Sequence, residues 1–339
     1  MKKLVTILLS LLMISCLCSC AHKVDEKEQE TKYIEHFDIV LVTNNESIYD
    51  DGINENTYKA INNFCVNNNM TSNYLQLEEI KDENIETVLA QALDDFSTSI
   101  VVSNSDVYDN AILNKAQNYG GVKFVTINSN LETLSDNIAN FDVEVETCGF
   151  MAGYALVKEG YRNLGYLSSK DNYEYGYGFV QGIEKACEEL NAYTYLYYEY
   201  AEDIENLDKE IGSMYEYADV IYTPDEYEDN VIKIADTLEN KCVVCRNEHE
   251  VDCVLFNANV NYEQAIISML EKINIDFDSY KNTSTSLSLL DGAGALSNIT
   301  NLEKFTSSDY ETLCKDETIT ISKSYENLSD IYHGYVTIY

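Results

Sequence analysis

The chain is short of positive charge. Its 339 residues include 22 Lys and Arg against 59 Asp and Glu, which gives a formal net charge of −37. Proteins that grip nucleic acid without regard to sequence use basic side chains to displace counterions, so this composition argues against a nucleic-acid partner. A polybasic dock on anionic lipid headgroups is excluded on the same ground.

Tryptophan and proline are nearly missing as well. The sequence has no Trp and one Pro, Pro224. The shortage of Pro argues against Pro-rich linkers between domains. Tyrosine is abundant instead, with 28 residues. A ring that carries a hydroxyl suits half-buried strands and pocket walls. The alternative is an AT-rich coding bias, since Asn, Ile, Lys and Tyr are all frequent.

Long apolar runs are missing except at the amino terminus. Residues 4–17 follow two lysines and are mostly apolar, but the run is shorter than the roughly 20 residues that span a bilayer. A basic start and a short apolar core are typical of a secretory signal peptide. The segment ends Leu17-Cys18-Ser19-Cys20, which resembles the lipobox of bacterial lipoproteins. No other transmembrane helix is expected.

We therefore predict a signal peptide over residues 1–19, lipidation of Cys20 and a flexible charged tether over residues 20–35. Acyl chains on the cysteine would anchor the protein to the membrane without a spanning helix. The alternatives are an ordinary signal peptide with incidental cysteines, or lipidation at Cys16. The predicted location is the outer face of a bacterial cell membrane, of the Gram-positive type.

The cysteines beyond Cys20 are odd in number and irregular in spacing, so they predict no disulfide framework. Cys242 and Cys245 form a CxxC pair, and only His249 and Cys253 lie near enough in sequence to complete a metal site. We interpret the cysteines as free apolar side chains or one local disulfide. Neither a metal nor a cofactor is predicted.

The rest of the chain alternates short apolar runs with helical patterns. Strands are predicted at residues 37–43, 98–103, 122–127, 163–167, 193–200, 218–223, 242–245, 251–257 and 286–290. Helices are predicted at residues 55–68, 85–95, 108–119, 148–159, 176–190, 203–217, 229–240 and 262–273. This order indicates an α/β fold with parallel sheets and right-handed crossovers. The number of elements favours two Rossmann-like lobes with a ligand cleft between them.

Ligands of such sheets bind beyond the carboxyl ends of the strands. The residues that follow the first, second and third predicted strands there are mostly amides with a few carboxylates: Asn44, Asn45, Asp50, Asp51, Asn54, Asn104 and Asn128. Such groups exchange hydrogen bonds with hydroxyls and ring nitrogens, and they favour an uncharged ligand. Each of them, taken singly, is also common in turns.

Several motifs resemble the basic membrane protein family, the substrate-binding lipoproteins of ABC importers that include purine-nucleoside receptors. The first strand is followed by Asp50-Asp51 and Asn54. The third predicted strand ends at Asn128, where the family has Asp, and residues 146–153 follow. Residues 178–182 and 291–296 match two further segments of the family in order along the chain.

The resemblance implies a type I periplasmic-binding-protein-like fold with three crossovers. It places residues 36–141 plus about 255–285 in one lobe and residues 142–254 plus about 286–339 in the other. In nucleoside-binding members two aromatic rings sandwich the base. Here Ile53 stands at one stacking position. Tyr49, Tyr173, Tyr175 or Tyr177 could supply an aromatic face, and we select Tyr175. In the second lobe, the segment at residues 246–250 differs from the family pattern at the corresponding place. Asn247 in this segment is our last site candidate.

These observations predict a receptor and not an enzyme. The sequence shows no nucleophile elbow, phosphate-binding glycine loop or HExxH motif. The expected ligand is a small uncharged solute, a nucleoside first, and the expected partners are an ABC permease and its ATPase. The alternatives are a signalling or sugar-binding receptor of the same fold, or a surface lipoprotein that has lost its ligand.

Overall fold

The computed structural model describes residues 35–49, 52–203, 205–322, 328 and 334–339. The predicted signal peptide, Cys20, almost all of the tether, and both Asp50 and Asp51 lie outside the described residues. No helix in the described part is long and apolar enough to cross a membrane.

The described part contains thirteen strands. They are β1 Ile39–Thr43, β2 Ser72–Gln76, β3 Ile100–Ser103, β4 Lys123–Ile127, β5 Ile138–Val143, β6 Asn163–Ser168, β7 Thr194–Tyr200, β8 Val220–Thr223, β9 Cys242–Cys245, β10 Val254–Val260, β11 Ser284–Leu287, β12 Gly294–Ser297 and β13 Val336–Ile338. Interior strands such as β1 are apolar on both faces and fully buried, as expected where helices cover both sides of a parallel sheet.

Nine α-helices lie in the same ranges. They are α1 Ile53–Asn68, α2 Asp82–Ala90, α3 Asp109–Ala116, α4 Glu146–Glu159, α5 Tyr173–Leu190, α6 Leu207–Met214, α7 Glu228–Ala235, α8 Tyr262–Asp276 and α9 Ser307–Leu313. All eight predicted helices are present. The predicted helix at residues 85–95 is α2 followed by one π-helical turn, Gln91–Asp95.

The strands form two sheets. The first has the order β11-β5-β4-β3-β1-β2 and is parallel throughout. The second has the order β12-β10-β9-β8-β6-β7-β13 and is parallel except for the β10–β12 pair. This confirms the predicted α/β architecture of two Rossmann-like lobes. The antiparallel β12 is the exception to the predicted parallel pairing.

The chain passes between the two sheets three times: from β5 to α4, from β10 to α8, and from β11 to β12. Helix α8 packs in the core of the first lobe, where Ala265 and Ile266 contact the same apolar cluster as Ala60 and Ile61 of α1. The crossings differ from the expected boundaries in one respect. β10 pairs with β9 and β12 in the second sheet, although it falls mostly in the segment assigned to the first lobe.

Helices α4 and α5 pack unusually closely in the second lobe. A Cβ atom added to Gly178 of α5 would lie 1.8 Å from the Glu146 carbonyl oxygen, and one added to Gly149 of α4 would lie 1.9 Å from that of Tyr175. Only glycine permits this approach. The contact fixes the amino-terminal turn of α5, and with it Tyr175.

Candidate functional site

A cleft of ≈ 670 Å³ opens between the lobes. The first lobe contributes the start of α1, and the second contributes α5 and the segment after β9. The second crossing contributes the end of β10 and the start of α8. The lining residues are Gly52, Ile53, Asn56, Tyr175, Arg246, Asn247, Glu248, Asn259, Val260 and Tyr262. The cleft therefore occupies the place where α/β sheets of this kind bind ligands.

A buried carboxylate holds the segment after β9. Glu228, the first residue of α7, is only 3% exposed. Its Oε1 accepts hydrogen bonds from the backbone N–H groups of Arg246 at 2.6 Å and Asn247 at 3.2 Å. Such charge-assisted bonds to backbone donors are among the stronger hydrogen bonds in proteins. They fix the backbone on which the Arg246 side chain reaches the cleft.

The segment after β9 is held by further hydrogen bonds to Glu228 and Asn257. Asn247 donates from Nδ2 to Glu228 Oε2 at 2.9 Å, and its carbonyl oxygen accepts from Asn257 Nδ2. His249 Nε2 lies 3.2 Å from Glu228 Oε2. Asn247 lines the cleft, but its side-chain amide is used to fix the segment. Of its neighbours, Arg246 and Glu248 are the ones with charged side chains.

Two tyrosines form aromatic walls of the cleft. Tyr175, in the first turn of α5, is 9% exposed, and Tyr262 begins α8 at the crossing. Burial raises the pKa of both hydroxyls, and the nearby Arg246 guanidinium opposes that rise. Both hydroxyls therefore stay protonated at neutral pH and can donate a hydrogen bond. Of the four candidate tyrosines, Tyr175 is the one that lines the cleft.

The amides of the first lobe form a network of their own. Asn54 Nδ2 donates to Asn44 Oδ1 and to the Glu46 carbonyl oxygen, both at 2.8 Å. Asn104 Nδ2 donates to Asn54 Oδ1 at 2.9 Å. The structure thus brings Asn44, Asn54 and Asn104 together. They tie the loops after β1 and β3 to α1 and do not line the cleft.

The remaining described candidates lie apart from the cleft. Asn45 is exposed. Asn128 has a φ of 54°, a left-handed conformation that Asn tolerates better than most residues. Its Oδ1 accepts from the Val143 N–H at 2.8 Å, so it joins the ends of β4 and β5. Its side chain supports the sheet.

One cluster near the cleft has the composition of a metal site. The ligand atoms of Glu228, Cys245 and His249 all lie within 4.8 Å of one another. The Glu228 carboxylate, however, already accepts the hydrogen bonds described above. Burial, reinforced by the Glu228 charge, raises the pKa of the Cys245 thiol to about 12. We therefore assign the cluster to anchoring the loop. All seven cysteines in the described ranges are free.

Sequence reasoning missed most of the cleft residues. Arg246 and Glu248 directly follow a correctly predicted strand, so the rule about carboxyl ends could have found them. Asn259 and Val260 were missed because β10 continues three residues beyond its predicted end. Asn56 and Tyr262 lie in first helical turns, where the sequence pattern carries no signal for exposure to a cleft.

No family model and no curated protein matches the sequence. Solved structures match in fold. An ABC transporter solute-binding protein from Conexibacter woesei is 15% identical, with a TM-score of 0.59 over 81% of this chain and 93% of that chain. A transcriptional activator of the comK gene from Bacillus halodurans is 16% identical, with a TM-score of 0.59 over 82% and 95%.

A solute-binding protein of an ABC transporter system from Aeropyrum pernix is 14% identical, with a TM-score of 0.52 over 83% of this chain and 82% of that chain. The fold is type I periplasmic-binding-protein-like. At these identities the likeness establishes the fold alone.

Proposed function

We propose that the chain is a lipid-anchored solute receptor on the outer face of a bacterial membrane that delivers a small ligand to an ABC permease and its ATPase. The observation that carries the proposal is the cleft, because residues of both lobes and of a crossing segment line it together. A ligand held there contacts both lobes, so its binding favours their closure. A transporter can then recognise the closed form.

The resemblance to the basic membrane protein family makes a nucleoside the first ligand to test. Tyr175 and Tyr262 offer rings for a planar base, and the amide of Asn259 suits the ribose hydroxyls and ring nitrogens of a nucleoside. A sugar or another solute is the second candidate. Its support is Ile53, which lines the cleft where nucleoside-binding relatives have a stacking aromatic residue.

A thermal-shift panel of nucleosides, free bases, sugars and amino acids tests the receptor function. A ligand at about 100 times its Kd stabilises the protein by about 2.7 kcal/mol. Tyr175→Ala should abolish the shift, whereas Tyr173→Ala should preserve it, since Tyr173 is 42% exposed and does not line the cleft. If both variants lose the same part of the thermal shift, the cleft is not the binding site.

The first loop and the membrane anchor need separate tests. Asp51→Ala should abolish binding if the resemblance assigns this residue correctly, and unchanged affinity would exclude it. Cys20→Ser should release the protein from the membrane fraction, whereas Cys16→Ser should leave it bound. Retention of Cys20→Ser together with release of Cys16→Ser would move the lipidation site. Permease and ATPase genes beside this gene would support import, and a histidine kinase gene would support signalling.

A further inference from the structure

Charge enters the cleft through two side chains of one short segment, Arg246 and Glu248. The chain has only two arginines. The other one, Arg162, is used structurally, because its Nη1 donates to the carbonyl oxygens of Val157 at 2.8 Å and Tyr161 at 2.6 Å. Arg246 forms no ion pair with any residue of the described ranges.

Arg246 is exposed and lines the cleft, so its charge is open to a ligand there. Arg246 faces the cleft beside the hydroxyls of Tyr175 and Tyr262, whose pKa values respond to its charge. A guanidinium and two phenol hydroxyls all donate hydrogen bonds, so they suit an acceptor that a ligand supplies.

The arginine is also held in place before any ligand binds. Its backbone N–H donates to the buried Glu228 carboxylate at 2.6 Å, and it follows the buried residues of β9 directly. A fixed backbone lowers the entropy that a binding side chain loses when it engages its ligand. The start of α1, a 16-residue helix, adds the positive end of a helix dipole to the opposite wall.

We infer that the cleft takes a small ligand whose carboxylate binds Arg246 and whose ammonium group is balanced by Glu248, that is, a zwitterionic amino acid or a close derivative. The one positive and one negative side chain match a ligand of zero net charge. A nucleotide fits poorly, because its phosphate would meet one arginine and one glutamate. The inference rests on the proposed receptor function. It makes an amino acid, in place of an uncharged nucleoside, the preferred ligand.

The first experiment compares ligands. The purified protein is titrated calorimetrically with each proteinogenic amino acid, with nucleosides, nucleoside monophosphates and simple sugars. We expect an amino acid to bind, and its methyl ester to bind at least about 30-fold more weakly, the loss typical when one member of a buried charge pair is removed. Binding of a nucleoside or sugar alone would overturn the inference and leave the receptor function intact. Binding of nothing would count against both.

The second experiment tests the residue with the best ligand found. Arg246→Gln should weaken binding of the amino acid at least about 30-fold and leave binding of its methyl ester nearly unchanged, because the ester lacks the charge that Arg246 binds. Arg246→Lys should lose less affinity for the amino acid. Lys209→Gln is the control, since Lys209 is 73% exposed in α6 and lies outside the cleft. Equal losses for acid and ester, or unchanged affinity for the acid, would contradict the assignment.

Discussion

Alanine in place of Gly178 should force apart the two helices that position Tyr175. The added Cβ would lie 1.8 Å from the Glu146 carbonyl oxygen, 2.6 Å from its carbonyl carbon and 2.9 Å from the Phe150 nitrogen. Because all three obstacles are backbone atoms, no side-chain rotation can relieve the overlap. Ordinary contacts need about 3.5 Å, so the helices must separate locally by roughly 1–2 Å.

The expected cost follows from that separation. Overpacking typically costs 1–3 kcal/mol, and an obstacle made of backbone places this substitution near about 3 kcal/mol. Replacing a helical glycine by alanine returns up to about 1 kcal/mol, which leaves a net loss of roughly 2–3 kcal/mol. For a chain of this size the melting temperature should fall by roughly 3–5 °C. Ligand affinity should fall too, since Tyr175 lies less than one turn away.

Gly212→Ala in α6 is the matched control, because its added Cβ would have no neighbour within 4 Å. It should stabilise the protein by about 0.5–1 kcal/mol through helix propensity alone. Thermal and urea unfolding of both variants decide the matter. If Gly178→Ala is as stable as Gly212→Ala, the close helix contact is refuted.

Three further substitutions test other contacts by the same unfolding measurements. Asn54→Ala should lower the free energy of unfolding by about 2–3 kcal/mol, because it leaves hydrogen-bonding groups of the loops after β1 and β3 without a partner. Exposed Asn45→Ala should change it by less than about 0.5 kcal/mol. Glu159→Ala should cost about 2 kcal/mol, because the carboxylate accepts from the N–H groups of Glu303, Lys304 and Phe305; Glu159→Gln should recover part of this. Burial raises the pKa of the Asp109 carboxyl, and its Oδ1 has no hydrogen-bond partner, so the charged form opposes folding. Asp109→Asn should therefore stabilise the protein at pH 7, with an advantage that shrinks as the pH falls towards 4 and the wild-type carboxyl takes up its proton; an advantage that is constant with pH would contradict this.

Strands with continuous apolar runs could be predicted because burial on both faces leaves a plain signature. β5 could not, since its centre is the polar Asn140. Asn140 is 4% exposed. Its side-chain amide forms hydrogen bonds with Thr126 Oγ1 at 3.0 Å and Ser284 Oγ at 2.6 Å, and these partners are 14 and 144 residues away in the sequence. β2 was missed because this edge strand is only half-buried throughout.

The candidate site shows the same division. Tyr175 and Asn247, which were selected by comparison with the family, both line the cleft. Position after a strand selected Asn44, Asn54 and Asn104, whose side chains hydrogen-bond to one another. Sequence cannot distinguish an amide that faces a ligand from one that faces another amide, because the choice depends on a loop 50 residues away.

The three crossings determine when each lobe can finish folding as the chain is synthesised. The first sheet gains β11 only when residues 284–287 reach β5, which lies about 140 residues earlier in the chain. Until then the edge of β5 is open, and the first-lobe core also lacks α8 until residues 262–276 have been made. Neither lobe can finish folding until nearly the whole chain has been made. Both are completed late and nearly together, which ties the integrity of the cleft to completion of the chain.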